Sequence, residues 1–267
     1  MKTSVGVPRE IKPREGRVAL TPSAVAELVA EGCRVCLETH AGEGSGYPDD
    51  AYLRAGAEIL DSARAVYAAA DVLLKVKEPV GPELELLEAR HRLFSFLHLA
   101  ALPALTRQLC DIGLTAIAFE TVVDHATLPI LQPMSEIAGR VAVQVGSHLL
   151  HTAQGGRGVL LGGVPGVGRG HVVVLGAGHA GGCAARLASS MGAAVTVFDR
   201  NPQRLGEMQR AAPNINARYA NSEDMRKALR SADLLVGAVL IPGAAAPRLL
   251  SREDVGGMED GSVIVDI

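Results

Sequence analysis

At 267 residues the chain is long enough for one large domain or two ordinary ones, with ample core. It is 48% hydrophobic but only 3% aromatic, with no Trp, so that core has to be aliphatic, built from Ala, Val and Leu. A net charge of -3 leaves no electrostatic footprint for nucleic acid or an anionic membrane, no apolar run is unbroken enough to span a bilayer, and the start reads as a strand rather than a secretory signal, so the expected compartment is the cytoplasm.

In chain order, residues 3–8 read as the first strand. Thr21 is placed as an N-cap, with Pro22 at the first helical position, opening a helix over 24–31. A strand over 33–38, a short helix over 49–55, a short strand at 59–60 and a helix over 62–70 follow. A strand over 71–76 runs into Lys77, residues 83–88 are helical, and a strand over 92–97 ends on His98. A helix over 103–112 and a strand over 115–119 close the first half. This alternation predicts a mainly parallel sheet with helices on both faces. One long helix is expected over 135–152, then a Gly-rich loop over 154–166. After Asp199 the pattern gives a helix over 202–208, a strand over 217–220, a helix over 222–231, and strands over 234–238 and 262–266. The economical reading is α/β: two Rossmann-like, doubly wound units, residues 1–132 and 133–267, with a hinge near 130–135. The chain stops at Ile267 directly on a strand, so the C-terminal part of both units is expected to be incomplete.

The sharpest motif lies between His171 and Asp199. An apolar strand over 172–175 runs into Gly176-Ala177-Gly178-His179-Ala180-Gly181, an Ala-rich helical stretch follows, and a second strand over 194–198 ends on Asp199. That is G-x-G-x-x-G in the setting the motif needs: strand before, helix after, acid at the end of the next strand. Gly176 permits the tight turn, Gly178 lets the backbone approach a pyrophosphate, and Gly181 lets helix and strand pack closely. Free N–H groups at the helix start favour phosphate charge, and Asp199 is placed to accept from an adenosine ribose. The alternative is a Rossmann unit without a ligand.

Three cations of the first half stand at strand ends or adjoining loops: Arg17, Lys77 and His98. A guanidinium holds a carboxylate bidentately, an ammonium binds a carboxylate or carbonyl oxygen, and an imidazole shuttles protons near neutrality. Together they suit a small oxo acid or amino acid. Each has a plainer reading: Arg17 as a solvated loop residue, Lys77 as half of a surface pair with Glu78, His98 as a satisfied core residue. Cys33 and Cys36 form a C-x-x-C, but strand residues three apart face opposite ways and no second pair joins them, so core packing is favoured over redox or zinc chemistry. Cys110 and Cys183 read as small core residues. His148 and His151 lack a companion carboxylate, and no metal site is expected.

At these residues the chain resembles the alanine dehydrogenase family, which also includes the NAD-binding alpha-subunit of transhydrogenase. The similar segments are Gly6-Val7-Pro8-Arg9-Glu10 through Arg17-Val18-Ala19-Leu20-Thr21-Pro22, then Leu74-Lys75-Val76-Lys77-Glu78-Pro79 and Phe96-Leu97-His98-Leu99-Ala100. Pro133-Met134-Ser135-Glu136-Ile137-Ala138-Gly139-Arg140, the loop from Gly155 to Gly166, and Gly237-Ala238-Val239-Leu240-Ile241-Pro242-Gly243 continue the pattern. The resemblance implies reversible oxidative deamination, in which L-alanine, NAD and water give pyruvate, ammonium and NADH. It implies that Arg17 and Lys77 hold the substrate carboxylate and oxo group, and that His98 is the acid/base group of the imine and carbinolamine steps. Met134 and Ser135 would line the cleft near substrate and nicotinamide. Asp199, with Arg200 beside it, would meet the adenosine ribose, and Val239 and Leu240 would flank the cofactor. Asp199 would favour NAD over a 2′-phosphorylated cofactor through like-charge repulsion. The family suggests a homo-oligomer, a hexamer.

Two departures stand out. Arg14 replaces the family's usual Asn, and neither the Asp that follows the family's Val-Asp-Ile strand nor the C-terminal segment that returns to the first domain is present. The competing readings are the NAD-binding component of a proton-translocating transhydrogenase and a truncated NAD-binding protein without turnover. A lysine-forming opine dehydrogenase fits the segments around His98 and Gly155 less well.

Overall fold

The structure, a computed structural model, describes residues 3–125, 127–241 and 248–267. Of the sequence motifs, only Pro242 and Gly243 fall outside the described residues. The described chain divides into two compact units, residues 3–128, and residues 129–241 with 248–267.

The first unit is a wholly parallel sheet. Its strands are β1 (Ser4–Val7), β2 (Arg34–Glu38), β3 (Glu58–Leu60), β4 (Val72–Lys77), β5 (Arg92–Phe96) and β6 (Thr115–Ala118), in the order β3-β2-β1-β4-β5-β6. Helices α1 (Pro22–Ala30), α2 (Asp49–Arg54), α3 (Ala63–Ala69) and α4 (Pro103–Ile112) connect them. Alternate strand residues feed two cores. Val5, Val7, Val35 and Leu37 pack on one side with Val25 of α1 and Tyr52 of α2; Cys36, Leu73 and Leu93 pack on the other with Val66 of α3 and Leu105 of α4. Cys33 packs with the first core and Cys36 with the second, so the C-x-x-C straddles the sheet. The local signals act as expected at α1, where the Thr21 side chain accepts from the Ala24 N–H (3.3 Å) and Pro22 opens the helix.

The second unit repeats the plan. Helix α5 (Leu131–Leu149) leads into β7 (His171–Leu175), α6 (His179–Ser190), β8 (Ala194–Asp199), α7 (Pro202–Ala211), β9 (Ile215–Tyr219), α8 (Ser222–Arg230), β10 (Leu234–Gly237), α9 (Arg252–Gly256) and β11 (Val263–Asp266). The strands are parallel in the order β11-β10-β7-β8-β9. Val172 and Val174 enter the core under α5 and α6, while Val173 and Leu175 enter the opposite core with Leu229 of α8. In both units the order reverses beside the first strand, at β1/β4 and at β7/β10. Ligands of open α/β sheets bind at such a reversal, outside the carboxyl ends of the strands.

Several elements depart from the sequence reading. Helix α5 begins at Leu131 rather than 135, so most of the expected hinge is helical. Pro133 sits in its first turn, where an N–H would have no intrahelical acceptor anyway. Residues 81–86 form a 3-10 helix in place of an α-helix over 83–88, opened by Pro82 and by Glu83, whose side chain turns back to the Val80 N–H (2.9 Å). Helix α9 was not anticipated, although Ser251 and Asp254 carry its capping box: the Asp254 N–H donates to Ser251 Oγ (3.1 Å) and the Ser251 N–H to Asp254 Oδ2 (2.8 Å). Cys110 lies on the exposed side of α4 and is no core residue; Cys183 is half-buried.

Candidate functional site

In the second unit the glycine loop sits between β7 and α6. Gly176 has a φ of 101°, and a Cβ there would stand 2.5 Å from the Ala238 carbonyl oxygen, so only glycine fits the turn. At Gly181 a Cβ would overlap the Gly176 carbonyl oxygen, which is why strand and helix can approach so closely. Gly178 differs: the one atom near its missing Cβ is Nη1 of Arg204, at 3.8 Å. No side chain caps α6, whose first residues are His179 and Ala180, so its opening N–H groups face an open cradle with a cation at its edge. These features fit a dinucleotide pyrophosphate. The sequence reading did not single out Arg204; its position three residues into the helix after Asn201 carries no motif.

Asp199 ends β8, half-buried. Its Oδ2 accepts from the Ala177 N–H (2.6 Å) and its Oδ1 from the Asn201 N–H (2.8 Å). It therefore braces the glycine loop, and its remaining lone pairs stay available for a sugar diol. Arg200 next to it is exposed. Val239 packs on the loop, with Cγ2 3.2 Å from the position of a Gly176 Cβ, whereas Leu240 is 59% exposed. Met134 and Ser135 lie half-buried where the first turn of α5 passes into the second. Ser135 is one turn before Gly139, and a Cβ at Gly139 would overlap the Ala180 carbonyl oxygen. The same α5 face thus carries Ser135 toward the start of α6.

In the first unit the candidate cations gather at the carboxyl ends of β1, β4 and β5. Arg17, in the loop after β1, holds Glu15 bidentately (Nε to Oε1, 2.8 Å; Nη2 to Oε2, 2.6 Å). Those hydrogen bonds, helped by the Lys77 charge, hold the Glu15 carboxyl down at about 2. Lys77 ends β4 half-buried and, among the described residues, has no hydrogen-bond or ion-pair partner for its Nζ. His98 follows β5 with its ring stacked on Phe96 (centroids 6.4 Å, 19° between planes). Glu78, beside Lys77, feels His98: burial pushes its carboxyl up, but the hydrogen bond from Lys12, with His98 adding, brings it below the usual range. Its buried Oε2 makes no hydrogen bond among the described residues. Glu15 is thus a common partner of Arg17 and Lys77, and Lys77 pairs in register with Phe96, two residues before His98, which brings the three into one neighbourhood.

Behind β4 lies a group that sequence reasoning missed. Lys75, fully buried, meets Glu83 (2.6 Å) and Glu10 (3.3 Å), both nearly buried too. Glu10 also accepts from the Val76 N–H (2.7 Å) and the Lys77 N–H (3.4 Å), fixing the strand end that carries Lys77. Burial raises the Glu10 carboxyl above its ordinary value despite Lys75. The available signal was a lysine inside the apolar run Val72-Leu73-Leu74-Lys75-Val76; simple alternation does not carry on to Lys77, because the pairing of β4 with β5 shifts register between Leu74 and Lys77. Among the described residues, no group of three His, Cys, Asp or Glu side chains is arranged to hold a metal ion, and no helix is long and apolar enough to cross a membrane.

Comparison with known proteins agrees with this geometry. Residues 6–138 match the alanine dehydrogenase/PNT N-terminal domain and residues 142–267 its C-terminal domain. The chain is 49% identical over 265 residues to an alanine dehydrogenase of Methanococcus maripaludis and 50% identical over 265 residues to one of Mycobacterium tuberculosis, covering 98% of this chain and 71% of each relative. Among solved structures, an L-alanine dehydrogenase superposes with a TM-score of 0.90 at 48% identity, covering 99% of this chain and 73% of the other. A transhydrogenase of Sinorhizobium meliloti gives 0.81 at 27% identity, covering 98% of this chain and 77% of the other. Two parallel α/β units with the glycine loop, and both family domains matched in order, show that the chain belongs to the alanine dehydrogenase/PNT family.

Proposed function

We propose that this chain catalyses the NAD-dependent oxidative deamination of L-alanine to pyruvate and ammonium, and the reverse reductive amination. The observation that carries the reading is the match to alanine dehydrogenases at about half identity along 98% of the chain, against 27% for the transhydrogenase. Residues 1–132 serve as the substrate domain and residues 133–267 as the NAD domain. In the second, the N–H groups at the start of α6 and Arg204 hold the pyrophosphate, Asp199 the adenosine ribose, and Val239, Leu240, Met134 and Ser135 the nicotinamide end. Bound NAD supplies the acceptor for the electron pair of the substrate C–H bond.

The rest is done by the chain's own side chains. Arg17 takes the substrate carboxylate in its fork, exchanging it against Glu15. Lys77, half-buried and without a hydrogen-bond or ion-pair partner for its Nζ among the described residues, places its ammonium on the oxo oxygen. His98 takes a proton from the water that adds to the imine carbon and returns one to the departing nitrogen. The balance is L-alanine, NAD+ and water on one side, pyruvate, ammonium, NADH and a proton on the other. The working form is a homo-oligomer, and the setting the cytoplasm. The test is NAD+ reduction by the purified chain with L-alanine, with D-alanine and L-lysine as controls. Reduction with L-alanine supports the reading, and none with any amino acid overturns it.

A further inference from the structure

The backbone of His98 is held in a costly conformation, and the group that holds it comes from the turn after another strand. His98 has a φ of 50° and a ψ of 37°, in the left-handed region that a residue with a Cβ rarely adopts. Such strain persists only where the surroundings enforce it. Here they do. The His98 N–H donates to Glu120 Oε1 (2.6 Å) and the preceding Leu97 N–H to Glu120 Oε2 (3.2 Å). The His98 carbonyl accepts from the Ala101 N–H (3.0 Å). Both ends of the residue are pinned, while among the described residues no hydrogen bond ties its imidazole.

Glu120 lies in the 3-10 turn after β6, residues 119–121, and pairs with no cation among the described residues. Its carboxylate is spent wholly on two successive backbone N–H groups. The neighbouring Phe119 packs edge-on against Phe96 (5.2 Å, 81°) and Phe94 (4.7 Å, 79°), and Phe96 in turn stacks on the His98 ring. One turn therefore fixes His98 twice, through its backbone and through the ring beneath it. His40 gives the contrast. Its φ is 64° and its N–H goes to a carboxylate, Asp49 (3.0 Å), but its ring is tied to Glu43 (2.6 Å). At His98 the same backbone device leaves the ring without a hydrogen bond among the described residues.

We propose that Glu120 is a positioning residue, which locks the left-handed turn at His98 and so aims the imidazole at the substrate. The inference rests on the reading of His98 as the acid/base group. A misplacement of about 1 Å costs up to about 100-fold in rate. Glu120→Ala should therefore lower kcat of reductive amination about 10- to 100-fold, while the KM for pyruvate and the Kd for NADH stay within about twofold. Glu120→Gln, with one acceptor oxygen in place of two, should fall between Ala and wild type. Because proton transfer becomes the slow step, the solvent deuterium isotope effect on kcat should rise in Glu120→Ala, which loss of folded protein would not produce.

Wild type and His98→Ala are measured in parallel. No activity in wild type, or full activity in His98→Ala, removes the underlying reading. An active wild type and a dead His98→Ala, with Glu120→Ala at wild-type kcat and isotope effect, overturns the role of Glu120 alone. So does a fall in kcat without a change in isotope effect, or one matched by equal loss of NADH affinity. If Glu120→Ala does not fold, the same criteria are read from Glu120→Gln.

Discussion

Asp199 spends an oxygen on each of two backbone N–H groups, and this double use sets what its loss should do. Removing it slackens the glycine loop at Ala177 and deletes the ribose acceptor together. Hydrogen bonds to a charged group are worth about 1.5–3 kcal/mol, so Asp199→Ala should weaken NADH binding about 10- to 100-fold by fluorescence titration. The same change removes the charge that repels a 2′-phosphate, so the preference for NADH over NADPH should narrow. An unchanged Kd would contradict the assignment. The glycines and this acid are legible in the sequence because their neighbours in space are near in the chain. Glu120 is not, since its acceptors meet N–H groups 22 residues away and nothing in its own surroundings marks it. Arg17 shows the same limit: its type and loop are readable, but its bidentate hold on Glu15 is not.

Elements carry the next level of the argument. Helix α5 packs on α6 through Gly139, where any side chain would strike the Ala180 carbonyl. Overpacking of this kind costs typically about 1–3 kcal/mol, so Gly139→Ala should lower the urea midpoint and also disturb the start of α6, weakening NADH binding. A variant with both properties of wild type would show that the contact is looser than described. At the end of β4, Lys75 is the cation between two buried carboxylates, Glu10 and Glu83. Lys75→Met strands both, and breaking such a group costs about 3–5 kcal/mol, read as a loss in urea-unfolding free energy of the first unit. The order of strands and helices followed from periodicity and turn residues. The start of α5 did not, because Pro133 reads as a boundary although it is tolerated in a first turn, and neither did the 3-10 segment, whose form depends on where Glu83 reaches.

At the scale of the molecule, two parallel sheets with the same strand reversal give one chain two sheet ends of different chemistry, one lined by cations and one by a glycine turn. Stability should respond to mild acid through His91, which is buried, and His171, which is half-buried. Burial pushes both His91 and His171 below the ordinary histidine value. His91 accepts at Nδ1 from the Glu88 N–H (2.9 Å), which requires the neutral ring. The unfolded chain takes up protons near its ordinary value of about 6.5 while the folded chain does not, so stability falls as pH drops through that value and below. Urea midpoints should decline from pH 7.5 to 5.5, and less steeply in a His171→Gln variant; a flat profile in wild type would contradict the assignment of neutral rings at His91 and His171.

The central claim is that the chain joins a nicotinamide cofactor to a small oxo acid and ammonium. Oxidation of NADH by the purified chain, with pyruvate and ammonium supplied together and each omitted in turn, tests it most directly. The account predicts absorbance loss at the NADH band only when both are present, and its abolition in His98→Ala. NADH that binds but is not oxidised with both present would contradict it.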